Sequence, residues 1–263
     1  MSTAMEFERT LPLSAVHNFR DYGGYPVAGG GRVRRSLLWR SGHMAEASEA
    51  DLDAIDELKL AHVFDLRGPR ERDSLPSLRG PAFAAQVIAF DGESGTLAPH
   101  LAAAGEAFSP ADAHTIMERT YAALPDRVPL VTMIRRFFDA QLRGEGASLV
   151  HCHAGKDRTG MAVALLHEAL GVHPDDAMAD FLLTNTSGDR ESQIARGIES
   201  IRRRYPTVSK DAAAALMGVQ ESYLEAARGA LTERYGSVDA YLTHELGIDE
   251  TARETLRLHL VET

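Results

Sequence analysis

A short strand followed at once by an apolar helix constrains the fold of this chain more than any other feature of its sequence. The run Ser148-Leu149-Val150-His151 has the length and composition of a buried strand. The helix predicted from Thr159 to about Leu170 is apolar nearly all round, which is typical of a helix covered on every side. A short glycine-containing loop, 152–158, joins the two. This arrangement favours a fold in which helices pack on a sheet.

Three further runs predict buried strands, because they are short and rich in β-branched or aromatic residues: around Leu37-Leu38-Trp39, Ala61 to Leu66, and Gln86 to Phe90. Hydrophobic spacing and capping signals predict many helices. These are expected at 48–60, 110–124, 129–142, 174–187, 190–204, 209–216, 219–235, 237–246 and 249–262. We therefore expect a single α/β domain over residues 1–263. It should have a central, mostly parallel sheet of four or five strands, flanking helices and a helical C-terminal part over 174–263.

Composition limits the classes of function. The 263 residues carry a net charge of −10, which argues against nucleic acid or an anionic membrane as the main partner. Hydrophobic residues make up 44% of the chain, as in an ordinary globular protein. No secretory signal and no membrane span are evident. The single cysteine, Cys152, forbids an intramolecular disulfide and fits a reducing compartment, so we expect a soluble, cytoplasmic protein.

The loop between the strand and the apolar helix has the composition of an anion site with a nucleophile in it. Backbone N–H groups of residues 153–158 can turn inward around an anion, and the helix start adds its free N–H groups and positive dipole end. Arg158 can hold two oxygens of a phosphate at once. The same positive surroundings stabilise a thiolate at Cys152, to which the Thr159 hydroxyl can donate. Since side chains alternate along a strand, His151 is expected to point away from the pocket and to fix the backbone near Cys152.

The segment His151-Cys152-His153-Ala154-Gly155-Lys156-Asp157-Arg158-Thr159-Gly160 resembles the phosphate-binding loop of cysteine-dependent protein tyrosine phosphatases. It is most similar to an atypical bacterial branch of tyrosine and lipid phosphatases. Further matching motifs cover nearly the whole chain: residues 17–24 (HNFRDYGG), 39–42 (WRSG), 64–67 (FDLR), 71–72 (ER) and 236–242 (GSVDAYL).

The resemblance implies a protein-tyrosine-phosphatase-like sandwich and a cysteinyl-phosphate intermediate without metal or other cofactor. It implies phosphotyrosine as a substrate, with phosphoserine, phosphothreonine and phosphoinositides as further candidates. The expected partner is thus a phosphorylated protein or a phosphoinositide or inositol phosphate. The phosphate-binding residues would be His153, Ala154, Gly155, Lys156, Asp157 and Arg158.

The general acid that protonates the leaving oxygen is less well defined, since three aspartates compete for this role. Asp91 follows the strand at 86–90, where classical tyrosine phosphatases carry a mobile acid, but the usual Trp-Pro-Asp tripeptide is absent. Asp157 lies inside the loop, at the position that this branch of the family is thought to use. Asp65, at the end of a central strand, can face the pocket or pair with Arg67 or Arg40.

Two features bear on substrate and access. Lys156 is either a second cation at the rim of the pocket, which would favour multiply charged substrates, or a solvated loop lysine without a role. The irregular stretch 91–125 is either a surface excursion or a helical lid, and the resemblance favours the lid.

Other functions are also compatible with parts of the sequence. His151, Cys152 and His153 could suggest a metal site, but adjacent residues rarely converge on one ion, so no metal is expected. A catalytically silent phosphate-binding module would be expected to lack at least one of Cys152, Arg158 and Thr159, and all three are present. A rhodanese-type sulfurtransferase also uses one loop cysteine, but such loops end differently. An inositol-polyphosphate phosphatase is the alternative within the phosphatases.

Overall fold

The computed structural model describes residues 9–92, 109–188, 190–204 and 208–263. Its centre is a five-stranded sheet with a separate two-stranded ribbon beside it. The strands are β1 (Arg20–Asp21), β2 (Arg32–Val33), β3 (Leu38–Ser41), β4 (His62–Asp65), β5 (Gln86–Ala89), β6 (Ser148–His151) and β7 (Val261–Glu262).

The order of strands in the sheet is β1-β3-β6-β4-β5. Strands β3, β6, β4 and β5 run parallel, and β1 pairs antiparallel with β3 at one edge. The expected mixed α/β fold with a mostly parallel sheet of four or five strands is confirmed. His151 on the central strand is in register with Ser41 on one side and Asp65 on the other. The segments that follow these three residues therefore leave the sheet at the same edge.

Eleven α-helices are found in the described part of the chain. They are α1 (Glu49–Asp56), α2 (Pro69–Ser74), α3 (Pro110–Ala123), α4 (Val128–Arg143), α5 (Asp157–Leu170), α6 (Pro174–Leu182), α7 (Arg190–Arg204), α8 (Lys210–Met217), α9 (Glu221–Tyr235), α10 (Val238–His244) and α11 (Glu250–Leu260). Short 3₁₀ turns follow α3 at Leu124–Asp126 and α6 at Leu183–Asn185. The predicted helix 174–187 was too long, because the chain tightens into this second turn.

The last predicted helix, 249–262, was wrong at its end. Helix α11 stops at Leu260, and β7 pairs antiparallel with β2, which places Val261 opposite Val33. The backbone N–H of Arg34 also donates to the carbonyl of Leu260 at 2.7 Å. This pairing joins segments more than two hundred residues apart, so helical periodicity could not reveal it.

Helix α5 lies in the main core, as its apolar sequence predicts: 11 of its 14 residues are buried. Aromatic side chains from the sheet and from α4 pack together in the same core, with Phe64 and Phe137 in an edge-to-face contact at 5.3 Å between ring centroids. A smaller apolar cluster that includes Trp39, Ile55 and Leu149 is separate from the main one. Together these clusters fix the sheet and α5, and with them the loop that joins β6 to α5.

The stretch 91–125 is described only in part, since residues 93–108 lie outside the described residues. Helix α3 packs on α8 and α9, and its Ala113, Met117 and Tyr121 are fully buried. One face of α3 thus belongs to the main core. A lid function for the whole stretch remains a prediction, and any test by deletion has to spare α3.

None of the helices in the described ranges is both long and apolar enough to cross a membrane.

Candidate active site

The catalytic loop, residues 152–158, leaves the central strand and enters the first turn of α5. Cys152 follows directly after β6 and is 2% exposed, and Asp157 is the first residue of α5. The first-turn amides of a helix have no acceptor within it, and a helix start such as that of α5 therefore suits an anion. Gly155 has φ of +67°, and a Cβ there would lie 2.4 Å from the backbone of Ser41. Only glycine therefore allows this loop to turn so close to the end of β3.

Arg158 is held in place by Glu71, a carboxylate in the motif 71–72 to which the sequence analysis gave no role. Both Glu71 oxygens accept from its guanidinium, at 2.6 Å from Nη1 and 2.7 Å from Nη2. Nη1 also donates to the carbonyl of Leu66 at 3.1 Å. Burial by itself would lower the pKa of Arg158, but Glu71 and the nearby Cys152 sulfur outweigh it and raise that pKa. The cation is therefore permanent and fixed in orientation.

The carbonyl of Gly155 is held from behind by two side chains from the N-terminal segment. Asn18 Nδ2 donates to it at 2.7 Å and Arg40 Nη2 at 2.9 Å. Asn18 also accepts from Arg20. These residues stand in the motifs 17–24 and 39–42. Residues of both motifs thus hold the backbone of the catalytic loop in place, although neither motif contains Cys152 or Arg158.

Asp180 on α6 pairs with both arginines of this support. Its Oδ1 accepts from Arg20 Nε at 3.2 Å and its Oδ2 from Arg40 Nη1 at 2.6 Å, and all three side chains are buried. Burial would raise the pKa of Asp180, but the two arginines lower it well below the usual range. The carboxylate therefore stays ionised, as a buried pair of cations requires.

Asp65 is part of a second support, on the other side of the loop. It pairs with Arg67, at 2.9 Å from Nε and 2.7 Å from Nη2, which is one of the two pairings the sequence left open. Its Oδ2 lies 3.6 Å from Nε2 of His151, whose Nδ1 is 3.3 Å from the carbonyl oxygen of Cys152. Burial would raise the pKa of Asp65, but His151 and Arg67 lower it to about 2. Asp65 therefore holds no proton at neutral pH, and His151 fixes the backbone at the nucleophile.

The position of Lys156 differs from both interpretations of the sequence, a cation at the pocket rim and a solvated loop lysine. Its side chain is buried, and Nζ donates to the carbonyl of Leu216 at 2.6 Å and to that of Gly218 at 3.2 Å. Nζ is also 3.4 Å from Oδ1 of Asp157. Lys156 is thus neither a cation at the pocket rim nor a solvated loop side chain. The sequence could not show this, because the acceptors are backbone groups sixty residues away.

Asp157 and Thr159 place reactive oxygens at the start of α5. The Tyr121 hydroxyl, buried on α3, lies beside the Asp157 carboxylate; burial and this carboxylate raise the pKa of Tyr121 well above its usual value. Thr159 Oγ1 is buried and has no hydrogen-bond partner among the described residues. The predicted hydrogen bond from this hydroxyl to the Cys152 sulfur therefore stays a prediction.

His153 and Ala154 are the most open residues of the loop. The exposed His153 ring lies 5.0 Å from that of His43, centroid to centroid, and the backbone N–H of His43 donates to the His153 carbonyl at 3.0 Å. Burial and the neighbouring His153 lower the pKa of His43 to about 4. Burial also lowers the pKa of His153, so both rings are uncharged at neutral pH.

Asp91, the third candidate acid, lies on the surface at the start of the undescribed stretch. Its side chain is fully exposed and its Oδ1 is 3.5 Å from Arg72 Nη2. No contact between Asp91 and the catalytic loop is found in the described part of the structure.

Comparisons with known proteins agree with this geometry. Residues 11–262 match the model of the tyrosine phosphatase family. A protein of Cupriavidus necator provisionally named a tyrosine-protein phosphatase is 35% identical over 254 residues, which covers 94% of this chain and 88% of the relative. The triple specificity protein phosphatase PtpB of Mycobacterium tuberculosis is 30% identical over 279 residues, which covers 93% of this chain and 96% of the relative. With this match over nearly its whole length, and with Cys152 directly after β6 and Arg158 in the first turn of α5, the chain belongs to the tyrosine phosphatase family.

Proposed function

We propose that the protein hydrolyses phosphoric monoesters through a phosphoenzyme formed on Cys152. The observation that carries this proposal is the pairing of a buried Cys152 with an Arg158 whose guanidinium Glu71 holds at both nitrogens. A fixed cation beside the nucleophile stabilises a thiolate and the phosphate oxygens together.

In the first step the Cys152 sulfur attacks phosphorus, a sulfur–phosphorus bond forms, and the bond from phosphorus to the ester oxygen breaks. Arg158 and the amides of residues 153–158 bind the non-bridging oxygens, whose charge is spread in the transition state. Asp157 gives its proton to the leaving oxygen. In the second step Asp157 takes a proton from water, which attacks phosphorus. The thiolate then leaves, and the Thr159 hydroxyl donates to it.

We assign the acid to Asp157 rather than to Asp65 or Asp91. The pKa of Asp65, near 2, leaves that carboxyl without a proton to donate, and both of its oxygens are bonded to Arg67. The side chain of Asp91 points into solvent. Asp157 stands on the loop itself, and its Oδ1 is buried beside Tyr121 and Lys156.

Phosphotyrosine is the substrate that the family assignment supports first. The name of the mycobacterial relative, a triple specificity phosphatase, supports a broader range, with phosphoserine, phosphothreonine and phosphoinositides as candidates. The single cysteine fits a reducing compartment, so we infer that the enzyme works in the cytoplasm, which cell fractionation would test.

The experiment is release of inorganic phosphate from a panel of substrates in EDTA, with the native enzyme and Cys152→Ser. The panel holds a phosphotyrosine peptide, a phosphoserine peptide, phosphoinositides and inositol hexakisphosphate. Turnover that resists EDTA and is lost in Cys152→Ser supports the cysteine mechanism, and the ranking identifies the substrate class. Phosphate binding without turnover on any substrate would overturn the proposal in favour of a silent binding module.

A further inference from the structure

The ammonium group of Lys156 donates to two carbonyls and lies close to one carboxylate. The carbonyls are those of Leu216 and Gly218, at 2.6 Å and 3.2 Å, and the carboxylate oxygen is Oδ1 of Asp157, an ion-pair contact at 3.4 Å. The residue is 4% exposed, so solvent contributes little to its solvation. A buried ammonium needs hydrogen bonds and an opposite charge to offset its lost solvation, and these contacts supply both.

The two carbonyl acceptors lie at the C-terminal end of α8. Helix α8 ends at Met217, and the carbonyls of a last helical turn lack partners within the helix and carry partial negative charge. A cation is the group best suited to satisfy them. Helices α7 and α8 pack against each other, and α8 packs on α3. The contact therefore joins this group of helices to the catalytic loop through one side chain.

We propose that Lys156 is a positioning residue which ties the end of α8 to the catalytic loop and fixes the Asp157 carboxyl beside it. The part that concerns Asp157 rests on the proposed function, in which this carboxyl is the general acid. With its donors engaged, Lys156 does not bind a second phosphate of the substrate. Its effect on the reaction passes through Asp157.

A second contact near the end of α8 does not involve the loop and provides a matched control. Asn185 Nδ2 donates to the carbonyl of Val219 at 2.8 Å, and the Val219 N–H donates back to Asn185 Oδ1 at 3.0 Å. Asn185→Ala should therefore loosen the same turn without moving Asp157.

The test compares Lys156→Met, Lys156→Arg and Asn185→Ala with the native enzyme by two measurements. The rate of amide hydrogen exchange at residues 216–219 shows whether Lys156 stabilises the end of α8. The ratio of kcat for p-nitrophenyl phosphate to kcat for an alkyl phosphate measures the contribution of the general acid. The alkyl oxygen is the poorer leaving group and depends more on a donated proton. We expect Lys156→Met to speed exchange about tenfold and to raise the ratio about tenfold or more. In Lys156→Arg the exchange rate and the kcat ratio should both stay close to the native values. Asn185→Ala should speed exchange and leave the kcat ratio unchanged.

Two results would overturn the proposal. Unchanged exchange in Lys156→Met would show that the lysine does not hold α8. An unchanged ratio in Lys156→Met, when Asp157→Asn raises it, would show that it does not position the acid. If Asp157→Asn also leaves the ratio unchanged, Asp157 is not the general acid, and the role of Lys156 in positioning it fails as well. The exchange rate then still tests whether Lys156 holds the end of α8. Should Lys156→Met fail to fold, Lys156→Gln, which keeps two donors, takes its place.

Discussion

Both oxygens of the Glu71 carboxylate accept from the guanidinium of Arg158, at 2.6 Å and 2.7 Å. Glu71 stands on α2, after β4, and also accepts from the Gly68 N–H at 2.9 Å. The carboxylate is therefore fixed by its own helix before it meets the arginine. Arg158 keeps one orientation while phosphate enters and leaves, so the enzyme need not order this side chain during each turnover.

Glu71→Gln should weaken this fixation and leave the fold intact. An amide offers one acceptor oxygen where the carboxylate offers two, so the guanidinium loses a charged bond and its orientation. We expect kcat/KM to fall by about ten- to a hundredfold and phosphate to inhibit more weakly. Steady-state kinetics would measure both. Asp73→Asn, an exposed change on the same helix, is the control. Equal kinetics for Glu71→Gln and the control would show that Arg158 does not depend on Glu71.

Asp180→Asn should destabilise the protein strongly. It leaves Arg20 and Arg40 buried without their carboxylate, a change that typically costs about 3–5 kcal/mol. Because Arg40 also holds the Gly155 carbonyl, phosphate affinity should fall as well. Urea unfolding measures the first effect and phosphate inhibition the second. Asp175→Asn on the same helix has a largely exposed side chain and should cost under about 1 kcal/mol. A similar small cost for Asp180→Asn would contradict the supporting role of this network.

Asp65→Asn should leave the shape of the pH profile unchanged. With a pKa of about 2, Asp65 is ionised from pH 5 to 9, so its titration cannot produce either limb of the profile. We expect a fall in kcat of about tenfold, since His151 loses its charged neighbour and the backbone at Cys152 shifts. Profiles of kcat for Asp65→Asn and Asp157→Asn would be compared. Loss of the alkaline limb in Asp65→Asn alone would make Asp65 the acid.

The stability of the fold should fall as the pH drops below about 6.5. Burial lowers the pKa of His43, His151 and His167. In this pH range the unfolded chain therefore binds more protons than the folded chain. Nδ1 of His167 is buried and has no hydrogen-bond partner among the described residues, so protonation would create an unsatisfied donor. Below about pH 4 the ionised Asp65 adds to the loss, since its folded pKa is depressed.

Urea unfolding at pH 7.5, 6 and 5 measures this dependence. We expect a loss of about 1 kcal/mol or more between pH 7.5 and 5, and a smaller loss in His167→Gln, which keeps a donor for the Tyr22 carbonyl. A stability that does not change over this range would contradict the assignment of buried, neutral histidines.

The sequence predicted the elements whose signals are local. The four parallel strands and the apolar helix after Cys152 were found because their periodicity and composition lie within a few residues. Ser48 and Asp51 form a capping box at the start of α1, and this capping signal likewise lies within four residues of the chain. Lys156 was misjudged because its partners are backbone carbonyls on a distant helix, and no side-chain pattern encodes them. Asp180 was missed, and Glu71 was placed in a matching motif without a role, since a carboxylate on a helix has an ordinary surface role unless its partner is known.

The support behind Gly155 has a consequence for how the enzyme matures. Asn18 reaches across 137 positions of sequence to Gly155, and Arg20 across 160 positions to Asp180. During synthesis on a ribosome, Arg20 in the N-terminal segment therefore lacks its partner Asp180 until α6 has emerged. Contacts of this span form late in folding. The nascent chain would thus carry its reactive thiol before the support that shapes the phosphate site is complete, and enzymatic activity would appear only as the last third of the protein is made.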